Sequence, residues 1–214
     1  MGGRTFDVLA TRYPIEVLQS RLDEAADRHP ESETLADFRV SESLMRLENE
    51  AFENALRVVT PHRDVGLSTG ERYGVDLCGL DWVMPELGQG RPSLKDESGG
   101  SDRRKTIAFP ASPLGKKGVY ELRDALKDVD AEVLILGNAD EGVSLPNSRR
   151  ASLSELMRAD VVVLPAYVEH SPRPLLRAMA MGIPVVASKA CGLPEQEGLT
   201  LIDRPEDLRL EELL

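Results

Sequence analysis

Between residues 105 and 202 the chain alternates short, uninterrupted apolar runs with amphipathic segments, and this alternation leaves few folds open. TIAFPA (106–111), EVLILG (132–137), DVVVLPA (160–166) and IPVVAS (183–188) are apolar at nearly every position, not at every second one. A strand of that kind is buried on both faces, which happens when helices cover both sides of a parallel sheet. The intervening segments KGVYELRDAL (117–126), SLSELMRA (152–159) and PRPLLRAMAM (172–181) carry helical spacing, GVSL (142–145) is a short weak run, and LTLI (199–202) reads as a last strand. The pattern predicts an α/β fold, a Rossmann-like doubly wound parallel sheet.

The first 86 residues are less regular. TFDVLA (5–10) reads as a short strand, and Pro14 suits the first position of a helix with Ile15, Val17, Leu18, Leu22 and Ala25 on its stripe, stopping before His29. A second helix is expected over 43–56, with Leu44, Leu47, Ala51 and Ala55 facing the core and Glu48, Glu50 and Glu53 solvated. RVVT (57–60) and LCGLDWV (77–83) are candidate strands. Residues 87–104 are dominated by Gly, Pro, Ser and charges, as in a linker. The expected organisation is a partial, helix-rich amino-terminal region (1–86), a linker (87–104) and a Rossmann-like domain (105–214).

Composition excludes some partners. A net charge of −11 and the lack of a Lys/Arg stripe with interleaved aromatics argue against nucleic acid. Cys78 and Cys191 lie far apart and read as small packed hydrophobes in a reducing compartment. No stretch approaches the ~20 apolar residues of a membrane span, so a soluble, cytoplasmic chain without a transmembrane segment is expected.

Ligands of open parallel sheets bind beyond the carboxyl ends of the strands, and three such turns stand out. FPASPLGKKG (109–118) leads two lysines and two glycines into a helix, where amides, helix dipole and ammonium can converge on phosphate; Lys116 and Lys117 fit solvated loop charges equally well. LPAYVEHSPRPLLRAMAMG (164–182) places Glu169 and His170 before a helix expected to have Ser171 as N-cap, with Arg173 and Arg177 sharing one face. ASKACGLPEQEG (187–198) is a Gly/Pro-rich loop that serves as a phosphate-facing turn or a plain one.

Taken together, DVVVLPAYVEHSPRPLLRAMAMGIPVVAS (160–188), the following CGLPE and the earlier FPASPLGKKG resemble the motifs of family 4, group 1 glycosyltransferases in their usual order, over residues 105–202. The resemblance implies a GT-B fold whose carboxy-terminal domain binds a nucleotide-sugar donor, and transfer of the sugar, with retention, to an acceptor (glycan, lipid or small molecule). It implies no metal and no cofactor. By carry-over, Lys117 and Gly118 would meet the donor diphosphate, and Glu169 would be the catalytic, sugar-contacting carboxylate. The backbone at 171–175, with His170, Ser171, Arg173 and Arg177, would line the donor, and Gly192 and Glu195 would lie beside it.

Two positions depart from the family pattern: Arg177 stands where a second Glu is usual, and Ser112 about where an Arg precedes the Lys-Gly element. Residues 48–62 and 80–86 resemble the end of a GT-B amino-terminal domain, so most of an acceptor domain would be missing. His62, in a turn after Pro61, reads as structural or solvated, with a catalytic role as the lesser alternative, and His29 less so. A non-catalytic module of the same fold is the second reading and a sugar-nucleotide epimerase the third.

Overall fold

A computed structural model describes residues 5–86 and 104–211. The carboxy-terminal part is one six-stranded sheet, every strand parallel, in the order β6-β5-β4-β7-β8-β9. Its strands are β4 (Lys105–Phe109), β5 (Ala131–Ile135), β6 (Ser148–Arg150), β7 (Val161–Leu164), β8 (Val185–Ser188) and β9 (Leu199–Ile202). The apolar runs explain the central position of β4, β5, β7 and β8. Ile107 pairs with Val133 on one side and Val161 on the other, and all three are buried. The chain winds outward through β5 and β6, returns to the centre, and winds the other way through β7, β8 and β9. The order therefore reverses between β4 and β7.

Helices α4 (Val119–Ala125) and α5 (Arg173–Ala180) pack on this sheet. In α5, Leu175, Leu176 and Ala178 enter the core while Arg173 and Arg177 stay exposed, as their four-residue spacing requires. Residues 152–159 form only a 3-10 turn, Leu153–Arg158, which buries Leu156 and is closed by a Ser152/Glu155 capping box. GVSL (142–145) is not a strand. The sixth strand is instead the polar Ser148–Arg150, at the sheet edge, where Arg149 pairs with Glu132 at 2.7 Å and Glu155 at 2.8 Å.

The amino-terminal part is a three-stranded parallel sheet, β1 (Asp7–Leu9), β2 (Arg57–Thr60) and β3 (Asp76–Gly79), with α1 (Ile15–Arg28), α2 (Glu42–Glu53) and α3 (Arg63–Tyr73). Helix α3 is not apparent in the sequence, because Gly66, Ser68, Thr69 and Gly70 dilute its apolar spacing. It is held by tight approach instead: Gly66 lies so close to Leu77 that a Cβ there would fall 2.8 Å from the Leu77 side chain. Strand β3 covers only the start of LCGLDWV.

Helix α2 presents the face opposite to the one its leucines suggest. Leu44 and Leu47 are 48% and 57% exposed, whereas Phe52 is buried and stacks on Tyr73 with ring centroids 5.0 Å apart. Glu48 is accordingly not solvated. It accepts from the Ile15 N–H at 2.5 Å, taking one free amide of α1, and pairs with Arg12 at 2.8 Å. The expected linker lies outside the described residues except for Arg104, which pairs with Asp130 at 3.0 Å.

The two parts share their packing. Tyr167 and Val168, from the turn after β7, belong to the buried cluster of the amino-terminal part with Tyr13, Leu18, Leu35 and Phe52. Among the described residues no helix is long and apolar enough to cross a membrane. Leu175, fully buried under the sheet, tests the packing. Leu175→Ala is expected to cost about 2–5 kcal/mol, read as a lower denaturant midpoint at unchanged slope.

Candidate functional site

Strand-order reversal leaves a crevice beyond the carboxyl ends of the two strands that part company. Here they are β4 and β7, and the turns that follow them meet. After β4 the chain makes a 3-10 turn, Gly115–Lys117, and then reverses at Gly118, whose φ is +76°. A Cβ at Gly118 would lie 1.9 Å from the Pro165 carbonyl oxygen, so only glycine lets the two turns touch. The contact is tied by backbone bonds from the Tyr167 and Val168 N–H groups to the Lys116 carbonyl, at 3.1 and 3.3 Å.

Lys117 thereby reaches Glu169. Its Nζ donates to Glu169 Oε2 at 2.8 Å and to the Val168 carbonyl at 3.0 Å, with both side chains largely buried. Glu169 Oε1 accepts from the Ser171 N–H at 2.8 Å. Burial works to raise the Glu169 pKa, but Lys117 and the Ser171 amide outweigh it and hold the carboxyl below its usual value. Helix α5 starts one residue later than its sequence suggests. Pro172 is its N-cap, no side chain caps it, and the exposed Ser171 contributes its amide to Glu169.

The amino-terminal part closes over this pair. His62 is 1% exposed and is the N-cap of α3: its Nδ1 accepts from the Val65 N–H at 3.1 Å, and Nε2–H donates to the Glu169 carbonyl at 2.7 Å. Both ring nitrogens are used by the neutral imidazole, which makes His62 a clamp between the two parts instead of a solvated turn residue. His170 accepts from the Tyr13 N–H at 3.4 Å through Nε2 and lies with its ring 5.4 Å from that of Tyr13. Tyr13, fully buried, donates to Asp64 at 2.6 Å and lies under the Arg21 guanidinium, 4.2 Å from its ring centre. Nothing in the local spacing around Tyr13 distinguishes it from an ordinary core tyrosine.

The remaining positions spread out. Arg173 and Arg177 are exposed along α5, and neither makes an ion pair among the described residues. Gly192 sits against His62, where a Cβ would fall 2.1 Å from Nδ1, and its carbonyl accepts from the Arg63 N–H at 3.0 Å and Trp82 Nε1 at 3.2 Å. Glu195 is exposed and lines a separate cavity of about 150 Å³ with Arg63, Leu67 and Lys189. Ser112 donates no phosphate-binding charge; its Oγ accepts from the Ala139 N–H at 3.2 Å. Cys191 is fully buried, with its thiol pushed up to about 12 by burial, and Cys78 is half-buried. No group of three or more His, Cys, Asp or Glu side chains among the described residues is arranged to hold a metal ion.

A wider cavity of about 550 Å³ opens where α1 faces the ends of β8 and β9, lined by Arg21, Asp64, Tyr167, Lys189, Asp203 and Glu206. Neither Lys117 nor Glu169 contributes to it.

Residues 106–211 match the family model described as "Glycosyl transferases group 1". The carboxy-terminal half of the chain belongs to that family. Among solved structures, the chain is similar to the sucrose-phosphate synthase of Thermosynechococcus elongatus, with a TM-score of 0.54 and 21% identity, over 79% of this chain and 50% of the synthase. It is also matched, at lower TM-scores, to a lipopolysaccharide outer core galactosyltransferase, WaaB (0.44, 11% identity, 95% of this chain and 87% of that one). A third match is the glycosyltransferase SnogD of Streptomyces nogalater (0.36, 18% identity, 77% and 58%). The first of these supports a GT-B-type arrangement of parallel sheets and flanking helices, and the chain spans half the synthase's length. No curated protein matches the chain in sequence.

Two predictions test the packing and charge of this candidate site. Gly192, at φ +64° and against His62, should not tolerate a side chain. Gly192→Ala is expected to destabilise by about 2 kcal/mol or more, the usual size of strain plus overpacking, and to expose Trp82 fluorescence to quencher. The second concerns acid. Burial lowers the pKa of His62, and burial with the neighbouring His62 lowers that of His170 to about 4. The unfolded chain therefore binds protons near the ordinary histidine value while the folded chain does not, so stability falls as pH drops from about 6.5 toward about 4. Thermal melts across that range should show the loss, and His170→Asn should flatten it. Equal slopes in parent and variant would remove the histidine from the account.

Proposed function

We propose that this chain carries the donor side of a glycosyltransferase: it binds a nucleotide-sugar donor in the crevice between β4 and β7, for retaining transfer to an acceptor. One observation supports the reading above others. Lys117 and Glu169, 52 residues apart, are ion-paired beyond the two strands where the sheet order reverses. In this reading the diphosphate takes Lys117, together with the amides of Gly118 and of the 171–175 backbone at the start of α5, where the helix dipole favours negative charge. Glu169, released from Lys117, accepts from donor-sugar hydroxyls and faces the anomeric centre. Arg173 and Arg177 supply further positive charge along α5 in place of the usual second carboxylate. The domain organisation that goes with it is an acceptor-side portion up to residue 86, a connection over 87–104 and a donor domain from 105.

The closed amino-terminal part supports a second reading, a binding module without turnover. His62 and Tyr13 occupy the side of the Glu169 turn from which an acceptor would approach.

Calorimetric titration with UDP-, GDP- and ADP-sugars decides whether a donor binds. Heat is expected with one of them, weakened roughly tenfold or more by Lys117→Ala, the usual effect of losing a charge-assisted bond to phosphate. Absence of heat from folded protein with all three would remove donor binding. Donor hydrolysis or transfer that is abolished by Glu169→Ala but spared in donor affinity would favour the enzyme over the module.

A further inference from the structure

A cavity of about 210 Å³ opens beyond the carboxyl ends of β2 and β3, where open parallel sheets receive ligands. It is bounded by the turn that leads from Thr60 into α3, by the segment from Leu77 to Trp82 and, from the carboxy-terminal part, by Pro194. Neither Lys117 nor Glu169 lines it, and the proposed donor has no use for it. Gly79, at the end of β3, leaves part of the wall bare: a Cβ there would meet nothing within 4 Å.

What marks this cavity is that its floor has few hydrogen bonds left to offer. Thr60 and His62 are buried, and the Thr60 Oγ1 accepts from the His62 N–H at 3.2 Å. Both His62 ring nitrogens are taken, by the Val65 N–H and the Glu169 carbonyl. Trp82 Nε1 donates to the Gly192 carbonyl at 3.2 Å, which also holds the indole in place. A polar visitor would lose its water at such a floor without finding partners. The exposed Leu77 and Leu80 and the two proline rings make the rest of the lining apolar. Charge is confined to two exposed residues, Arg63 and Asp81, neither in an ion pair among the described residues. One of each sign gives no net attraction for an ion. A hydroxyl, which both donates and accepts, can use either.

We infer that this cavity binds the aromatic ring of a phenol. An apolar cavity of about 150 Å³ is enough for benzene, so this one takes a ring with one or two small substituents. The Trp82 indole stands at 66° to the His62 ring, with centroids 6.5 Å apart. A further flat ring against the indole gains more than its buried area alone, by offset stacking or edge contact. The occupant would bridge the two parts of the molecule, because Trp82 packs against the carboxy-terminal core while Leu77 packs against Gly66 of α3.

Trp82 is the only tryptophan, so its indole N–H gives a single nuclear magnetic resonance signal in the isotope-labelled full chain. Titration with 4-methylphenol is expected to shift that signal saturably. The non-aromatic 4-methylcyclohexanol should bind roughly two- to tenfold more weakly, the usual worth of an aromatic contact beyond its area. Gly79→Val, which fills the bare wall, and Leu80→Asp, which puts a charge on an apolar one, should each weaken binding by roughly tenfold or more. Leu44→Asp, at an equally exposed leucine on α2, should leave it unchanged; circular dichroism checks that each variant is folded. No saturable shift, equal binding of the cyclohexanol, full binding by folded Leu80→Asp, or the same weakening by Leu44→Asp would overturn the assignment. None of these outcomes touches the donor reading, whose titrations use nucleotide sugars and Lys117.

Discussion

The molecule is organised by the reversal of strand order between β4 and β7. Two parallel neighbours that send the chain in opposite directions must leave a gap at their carboxyl ends, and whatever residues open the two following turns are brought together there. In this chain those residues include Lys117 and Glu169. The approach depends on Gly118, because the Pro165 carbonyl occupies the space a side chain would need. A largely buried ion pair of this kind contributes little net stability: desolvation of both groups offsets most of their attraction, and the loss of one partner leaves an uncompensated charge. In the proposed donor reading, the pair is two groups held ready for other partners, and not a device for holding the fold together.

The amino-terminal part holds that crevice shut by polar contacts that each satisfy an obligation on both sides. His62 caps α3 with one nitrogen and clamps the Glu169 carbonyl with the other. Tyr13 buries its ring against two histidines while its hydroxyl reaches Asp64 and the Ala190 carbonyl. Because His62 and His170 are held neutral by burial until the pH is acid, the seal between the two parts is coupled to their protonation, and the Tyr167–Glu121–His29 chain extends the polar contact from the same turn to the end of α1. The turn after β7, packed into the amino-terminal core, joins the halves.

Legibility in the sequence followed burial. Strands apolar at every position, such as 161–164 and 185–188, could only be central strands, and the parallel sheet with its helices followed. The strand that is polar, Ser148–Arg150, was invisible because an edge strand needs no apolar run. Helix α3 is not legible because, beside Val65, its buried positions are Gly66 and Thr69, residues without hydrophobic weight. The core face of helix α2 is not legible because it is partly polar, with Glu48 and Asn49 bonding to α1 and α3, while its leucines face out. At the site, motif order indicated Lys117 and Glu169. Tyr13 and the role of His62 were not legible, since both depend on contacts more than a hundred residues away.

The state of Lys117 bears on how the proposed donor would be recognised. Its charge is cancelled by Glu169, so a diphosphate approaching the crevice meets an ammonium already paired, beside a carboxylate that repels it. Pairing with phosphate requires Glu169 to leave, and a buried carboxylate stays uncompensated unless it finds new donors. The hydroxyls of a sugar joined to the diphosphate are such donors. Recognition of phosphate and of sugar is then coupled through a single ion pair: a nucleoside diphosphate without its sugar must pay for the stranded Glu169, whereas the intact donor satisfies both groups at once. The exposed Arg173 and Arg177 lie outside this exchange. They add to the attraction of the anion without deciding which anion is held.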